Sequence, residues 1–284
     1  MKTGNERFFP LTVLRFSIGY GSYLVSKIVF VLAALPLVFV LWPFPRAKYR
    51  LLQAVIHHYL AFFSRTWLPA IGVYRVVEIA GRERALTVRP AVCVANHRGF
   101  MDSILLLGLM PRTGVLIKSR DTRQPMYGLL ARHFDLVSVD RHSLNSVSAS
   151  LDRCRRVLDA GKNLLIFPEG TRARSGRLQH FNRIAFDLAL AAGVPVVPVV
   201  IHSTQPFMAK LPGSIFPRRQ NDYRIRFLDP EIPHPDDDAD ALCDRVHRRM
   251  AQELNTLDAG TVWETRRVAG DDTAIKEPSA TKTP

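Results

Sequence analysis

Cysteine is scarce in this 284-residue chain, and the three present, Cys93, Cys154 and Cys243, are odd in number, far apart and set in apolar or helical patterns. That excludes a disulfide scaffold and a thiolate metal site, and it describes reduced packing residues of a chain facing the cytosol. Acidic residues are also in deficit. With 25 Asp and Glu against 39 Lys and Arg, the formal charge is +14, which calls for an anionic partner: nucleic acid, a phospholipid surface or a phosphorylated substrate. There is no GxSxG elbow, no HExxH and no close grouping of carboxylates with histidines, so a hydrolase lacks its usual machinery. No internal repeat is visible. The uncharged apolar run at residues 28–44, IVFVLAALPLVFVLWPF, has seventeen residues, short of the ~20 that a straight spanning helix needs. It ends in WPFPR rather than a small-residue cleavage site, which argues against a cleaved signal peptide. Basic residues lie on both flanks and Pro36 invites a kink, so a monotopic or re-entrant anchor is expected.

Residues 49–75 are apolar enough for an amphipathic helix, with Arg65 and Trp67 suited to a membrane interface. His57 and His58 diverge by about 100° on such a helix and do not make a metal pair. Beyond it the pattern alternates. VYRVVEI, AVCVA, GVLIKS, DLVSV, NLLIF, VPVVPVVI and YRIRF read as strands, and residues 103–110, 124–133, 143–160 and 182–192 read as helices. This predicts an α/β domain whose sheet is covered by helices. Leu242, Val246, Met250, Leu254 and Leu257 mark a last amphipathic helix, and the polar tail is expected to be disordered. The expected organisation is anchoring helices at 1–75, the α/β domain at 76–260 and the tail at 261–284. The two prolines of VPVVPVVI predict an edge strand, or one beside a ligand cleft.

The stretch VANHRGFMDS reads as strand end, loop and helix start, with Asp102 or Ser103 capping the helix. On one regular helix His97 and Asp102 would be offset by about 140°. They meet only if the His sits on a turn outside the helix, which Gly99 makes easy. Asp102 would then fix the His97 tautomer and leave the other ring nitrogen to take a proton. The plainer reading is a helix cap beside a surface histidine. In NLLIFPEGTRARSG an apolar strand breaks into a loop carrying Glu169, Gly170, Thr171, Arg172 and Arg174. Guanidinium forks, a hydroxyl and close-approach backbone suit a phosphate, although a solvated basic turn has the same composition. LVSVDRHS ends a further strand in Asp140 and Arg141.

Taken together, NHxxxxD at Asn96 to Asp102, the strand followed by Asp140 and Arg141, FPEGTR and VPVVPV resemble, in order and spacing, the lysophospholipid acyltransferase family, which includes the 1-acylglycerol-3-phosphate acyltransferases. The match covers about residues 91–201. It implies the glycerolphosphate acyltransferase-like fold, a mixed sheet covered by helices and preceded by an N-terminal helical membrane-association motif. It also implies a membrane-associated O-acyltransferase. That enzyme would move a fatty acyl group from acyl-CoA or acyl carrier protein to the hydroxyl of a lysophospholipid, foremost 1-acylglycerol-3-phosphate giving phosphatidic acid. His97 would be the general base and Asp102 its orienting carboxylate. Asn96, Lys118, Arg141, Glu169, Gly170, Thr171 and Arg172 would line the acceptor site. No acyl-enzyme, metal or cofactor beyond the thioester co-substrate is implied. The expected setting is the inner (cytoplasmic) membrane, with the catalytic domain facing the cytoplasm and no nucleic acid as partner.

One position departs from the family. Where many phosphatidic acid makers have a lysine after EGTR, this chain has Asn182, followed by Arg183. A different lysolipid acceptor, such as a lyso-aminolipid, therefore stands beside lysophosphatidic acid. A non-enzymatic membrane-binding protein is the alternative from another class.

Overall fold

Seven short runs become seven strands. In the computed structural model these are β1 (Arg75–Ala80), β2 (Val92–Ala95), β3 (Thr113–Lys118), β4 (Leu136–Val139), β5 (Asn163–Ile166), β6 (Val196–Ser203) and β7 (Asp222–Phe227). Strands β2, β5 and β6 are buried on both faces, whereas β1, β4 and β7 alternate or stay partly exposed. The structure describes residues 3–118, 135–139, 144–173, 177–205, 207–210, 214, 220–234 and 236–258. The helix expected at 124–133, the tail, and Asp140, Arg141 and Arg174 lie outside the described residues. The strands form one mixed sheet in the order β1-β7-β6-β2-β5-β3-β4, parallel at every pairing except the antiparallel β6–β7. The described helices are α1 (Thr3–Val40), α2 (Pro45–Phe62), a π-helical turn (Phe63–Trp67), α3 (Leu68–Ala70), α4 (Arg82–Thr87), α5 (Met101–Leu109), α6 (Leu144–Asp159), α7 (Ile184–Ala192) and α8 (Ala239–Asp258).

Alternation along β2 divides the core between two faces. Cys93 and Ala95 join Leu105, Leu106 and Leu109 of α5 and Phe63 of the π turn. Val92 and Val94 join the buried residues of α6, α7 and α8. The molecule is thus three layers, and each fully buried leucine of α5 contributes about 1.5–3 kcal/mol through removal from water. All three cysteines are free and buried in these layers, as their apolar settings predict.

Three details differ from the sequence reading. First, β6 is central rather than an edge. Pro198 is tolerated there because it pairs with Val94 of β2 on one side, while its carbonyl accepts from Leu228 N just past the end of β7. Its missing N–H faces that same margin, so the pair with Leu228 keeps one of its two bonds. Second, helix α5 begins earlier than expected, so Asp102 lies inside its first turn. Third, Trp67 is not an interface anchor: it packs on the core and its indole N–H donates to Ser22 Oγ at 2.9 Å.

The N-terminal helices are fastened to the sheet at several points. Gly108 of α5 lets α2 approach, since a Cβ there would lie 3.0 Å from Ala61 Cα. Tyr49 donates to Asp135 Oδ1 at 2.5 Å, and Lys162 Nζ reaches the same carboxylate at 2.7 Å, tying α2 to the start of β4. His57 Nδ1 lies 2.9 Å from Leu107 O, and its ring meets that of His58 edge-on with centroids 5.5 Å apart. Beyond these fastenings α1 is bare, with Ile28, Val29, Leu32, Leu35, Phe39 and Val40 exposed. Among the described residues no helix is long and apolar enough to cross a membrane.

Candidate active site

The chain leaves β2 through α5 on one face of the sheet and leaves β5 through α7 on the other, so the two loops part to opposite faces above adjacent strands. A crevice opens at the carboxyl ends of the strands at such a divergence. His97 stands on the β2 side and residues 167–173 on the β5 side.

The expected pair forms. His97 Nδ1 lies 2.9 Å from Asp102 Oδ2, with the His side chain 18% exposed and the Asp side chain 0%. The His sits on the turn outside α5, and Asp102 reaches back from the first helical turn. The same Oδ2 accepts the Gly99 N–H at 2.7 Å, which closes the turn that brings the two side chains together. Gly99 is required by contact: a Cβ there would stand 2.1 Å from Phe207 O. With Nδ1 held by the carboxylate, Nε2 is left for a reacting proton.

The second loop buttresses the histidine. Glu169 Oε1 accepts the His97 backbone N–H at 2.8 Å, Oε2 accepts from Gln179 Nε2 at 2.6 Å, and Ala173 N donates to His97 O at 2.6 Å. Burial pushes the Glu169 carboxyl up against these hydrogen bonds. Phe167 stacks on the imidazole with ring centroids 4.3 Å apart. Asn96 spends its amide on the sheet, donating to Ile201 O at 2.9 Å and accepting from Ile201 N at 2.7 Å. Gly170 makes the turn at φ 63, and Thr171 is half-buried beside it. Arg172 Nη1 donates to Met208 O at 2.6 Å. Asn182 closes the loop, its Nδ2 donating to Pro168 O at 2.6 Å. Arg183 points to the surface, paired with Asp187 and Asp240. The backbone of Lys118 ends β3 at the same carboxyl edge.

A group behind the dyad escaped sequence reading. Arg98, buried between His97 and Gly99, reaches Asp258 Oδ1 at 3.3 Å, and His202 Nε2 lies 3.1 Å from the same oxygen. Asp102 Oδ1 is buried without a hydrogen-bond partner among the described residues, and the charge of Arg98 lies near enough to act on it. Phe167 was readable as a member of the FPEGTR motif, whereas nothing marks Gln179, beyond that stretch, or Asp258, far along the chain in α8. Among the described residues no group of three His, Cys, Asp or Glu could hold a metal ion.

Burial, with Arg98, Arg224 and Arg226, lowers His202 from 6.5 to about 4. The folded state therefore favours the neutral ring. Its contribution to stability is complete above pH 6.5 and is lost as the pH falls from 6.5 toward 4. Urea unfolding of the wild type should weaken across that window more steeply than that of His202→Gln. Parallel slopes would refute the neutral assignment.

A narrow apolar cleft of about 30 Å³ adjoins the catalytic turn, lined among others by Phe16, Tyr20, Phe63, Phe100, Met101 and Phe207.

Residues 76–202 match the Acyltransferase family model. A Caenorhabditis elegans protein provisionally named 1-acyl-sn-glycerol-3-phosphate acyltransferase is 31% identical over 208 residues, covering 71% of this chain and 72% of that protein. The chloroplastic 1-acyl-sn-glycerol-3-phosphate acyltransferase BAT2 of Brassica napus is 30% identical over 204 residues, covering 71% of this chain and 57% of that protein. The chain spans little more than half the length of such chloroplast relatives, 57% and 54% for those of Brassica napus and Arabidopsis thaliana. The fold is shared with the crystal structure of the 1-acyl-sn-glycerophosphate acyltransferase PlsC from Thermotoga maritima, at a TM-score of 0.67 and 22% identity over 89% of this chain and 97% of that one. The motif residues, the mixed sheet that carries them and the relatives agree: this chain belongs to the 1-acyl-sn-glycerol-3-phosphate acyltransferase family.

Proposed function

We propose that this protein transfers an acyl group from a thioester, acyl-CoA or acyl carrier protein, to the free hydroxyl of 1-acylglycerol-3-phosphate, giving phosphatidic acid. The observation that carries this reading is the His97–Asp102 pair at 2.9 Å at the mouth of the crevice. Nε2 takes the hydroxyl proton as the oxygen attacks the thioester carbonyl. The carbon–sulfur bond then breaks, and the departing thiolate takes a proton from the imidazolium. Asp102 stabilises that imidazolium through Nδ1. Asn96 and Glu169 act by holding the His97 backbone, Asn96 through β6 and Glu169 through the motif loop.

Arg172 is the candidate ligand for the acceptor's phosphate, and the family resemblance adds Lys118 and Arg141 to that role. Among the described residues its guanidinium makes one hydrogen bond, to Met208 O, so the rest of the fork can face an anion. Arg172→Ala should raise KM for lysophosphatidic acid about 10- to 100-fold, since a hydrogen bond to a charged group contributes roughly 1.5–3 kcal/mol. A phosphate-free lysolipid should be unaffected. An unchanged KM for lysophosphatidic acid would remove Arg172 from the acceptor site.

Asn182 favours a second reading, acylation of another lysolipid, because it is spent on Pro168 O and Arg183 is paired at the surface. Offering the purified protein a panel of lysolipids with labelled acyl donors, and identifying products by mass spectrometry, separates the two. Product from lysophosphatidic acid supports the first; product only from a lyso-aminolipid overturns it.

The bare apolar face of α1 and the exposed Trp42 and Phe44 support docking on a bilayer, at the cytoplasmic face of the inner membrane.

A further inference from the structure

We propose that Arg89, with Arg82 and Arg112, forms a second anion site, for a phosphate group, at the end of the sheet opposite the catalytic histidine. Arg89 precedes β2 by three residues, whereas His97 follows it, so the length of that strand separates the two ends. The Arg89 Nε and Nη2 atoms are buried and have no hydrogen-bond partner among the described residues. A guanidinium carries five fixed donors and cannot shed its charge, so leaving two of them unmet away from water is costly unless something else accepts them.

Its neighbours make the requirement stronger. Arg82 Nε donates to Leu109 O at 2.7 Å, which holds its guanidinium at the carboxyl end of α5. Arg112 follows three residues later, immediately before β3, at φ 58. Asn163 laces these segments together. Its side chain takes Ala91 N at 3.1 Å and gives to Ala85 O at 2.8 Å, and its backbone N–H donates to Arg112 O at 3.1 Å. The charges of Arg112 and Arg82 both act on Arg89 and, with burial, lower its affinity for its proton. Among the described residues none of the three arginines makes an ion pair.

Like charges gathered at a partly buried point call for a counterion. The donor set selects its chemistry: forks arriving from three backbone segments match a tetrahedral oxyanion with several acceptor oxygens better than a carboxylate, which one fork would satisfy. The phosphate could be free in solution or be carried by a lipid headgroup, and the chemistry at the guanidiniums is the same.

Thermal unfolding of the full chain in detergent tests this, in inorganic phosphate against chloride at matched ionic strength. Phosphate should raise the wild-type Tm by several degrees at saturation. Arg89→Met should keep or raise the Tm in chloride, because an uncompensated buried cation is gone, and should lose the phosphate increment. Arg112→Met, which changes a less enclosed residue, should reduce it. Arg172→Ala and His97→Ala should keep it, which places the anion away from the catalytic end. A parallel series with short-chain phosphatidic acid identifies the source. An Arg89-dependent increment from that lipid alone points to a headgroup, and one from inorganic phosphate points to the free anion. No Arg89-dependent increment from either, or an Arg89→Met protein destabilised in chloride with its increment intact, overturns the site.

Discussion

His97→Ala should lower kcat/KM for acyl transfer about 10²- to 10⁴-fold, the range that a positioned general base contributes. The fall should lie mainly in kcat, because the ring acts on a proton that moves in the transition state rather than on the bound lipid. Asp102→Asn should cost a comparable factor for a different reason. A carboxylate can only accept from Nδ1–H, and it also accepts the Gly99 N–H at 2.7 Å. An amide turned to donate toward Nδ1 selects the wrong tautomer, and an amide turned the other way changes the charge beside the imidazolium. Both variants should bind vesicles like the wild type, since the apolar face of α1 is remote from the substitution. This separates the enzyme from a protein that merely adheres to membranes: equal turnover by wild type and His97→Ala would sink the catalytic assignment.

Gly99→Ala is the second large effect, and it arises from contact. The added methyl would lie 2.1 Å from Phe207 O and 3.3 Å from its carbonyl carbon, so backbone must move on one side or the other. Phe207 is itself held, packed edge-on against Phe16 with ring centroids 5.7 Å apart and tilted against Tyr74 at 6.5 Å. The turn carrying His97 therefore gives way first. Displacing a catalytic group by about 1 Å can cost on the order of 100-fold in rate, and overpacking of this kind destabilises by about 1–3 kcal/mol. Steady-state kinetics and urea unfolding on the same preparation should show both losses. A Gly99→Ala enzyme with wild-type kcat would mean that the turn is not held against residue 207.

Much of the fold was legible locally because its strands are short and the central ones are buried on both faces. AVCVA and NLLIF contain β2 and β5 since a strand covered by helices on two sides needs continuous apolar residues. The alternation in YRIRF likewise marks β7, whose burial does alternate along the strand. Position in the sheet was another matter. VPVVPVVI reads by its prolines as an edge strand or one beside a cleft, and β6 is central, next to β2, because β2 pairs one side of Pro198 while Leu228, past the end of β7, donates to its carbonyl on the other. That fact belongs to the partner strand. The short helix α4 was missed for a related reason, as RERALT has too few residues to show a period.

The chemistry of the site was determined by sequence alone: a histidine that can take a proton, an aspartate five residues on, a glycine between them and an arginine-bearing loop after an apolar strand. Residue type and close spacing suffice for this, because the turn from His97 to Asp102 is local and its geometry follows from where a helix can begin. Only the tertiary structure decided what holds that turn still. Glu169 grips the His97 backbone from the adjacent strand's loop, Asn96 is bound to β6, and Asp258 reaches Arg98 from the last described helix. It also decided that Asn182 serves the loop and that two buried donors of Arg89 have no partner among the described residues. Contacts between residues so far apart along the chain depend on strand order and helix placement, and these are set by the burial of both faces of the sheet at once, which no local pattern records.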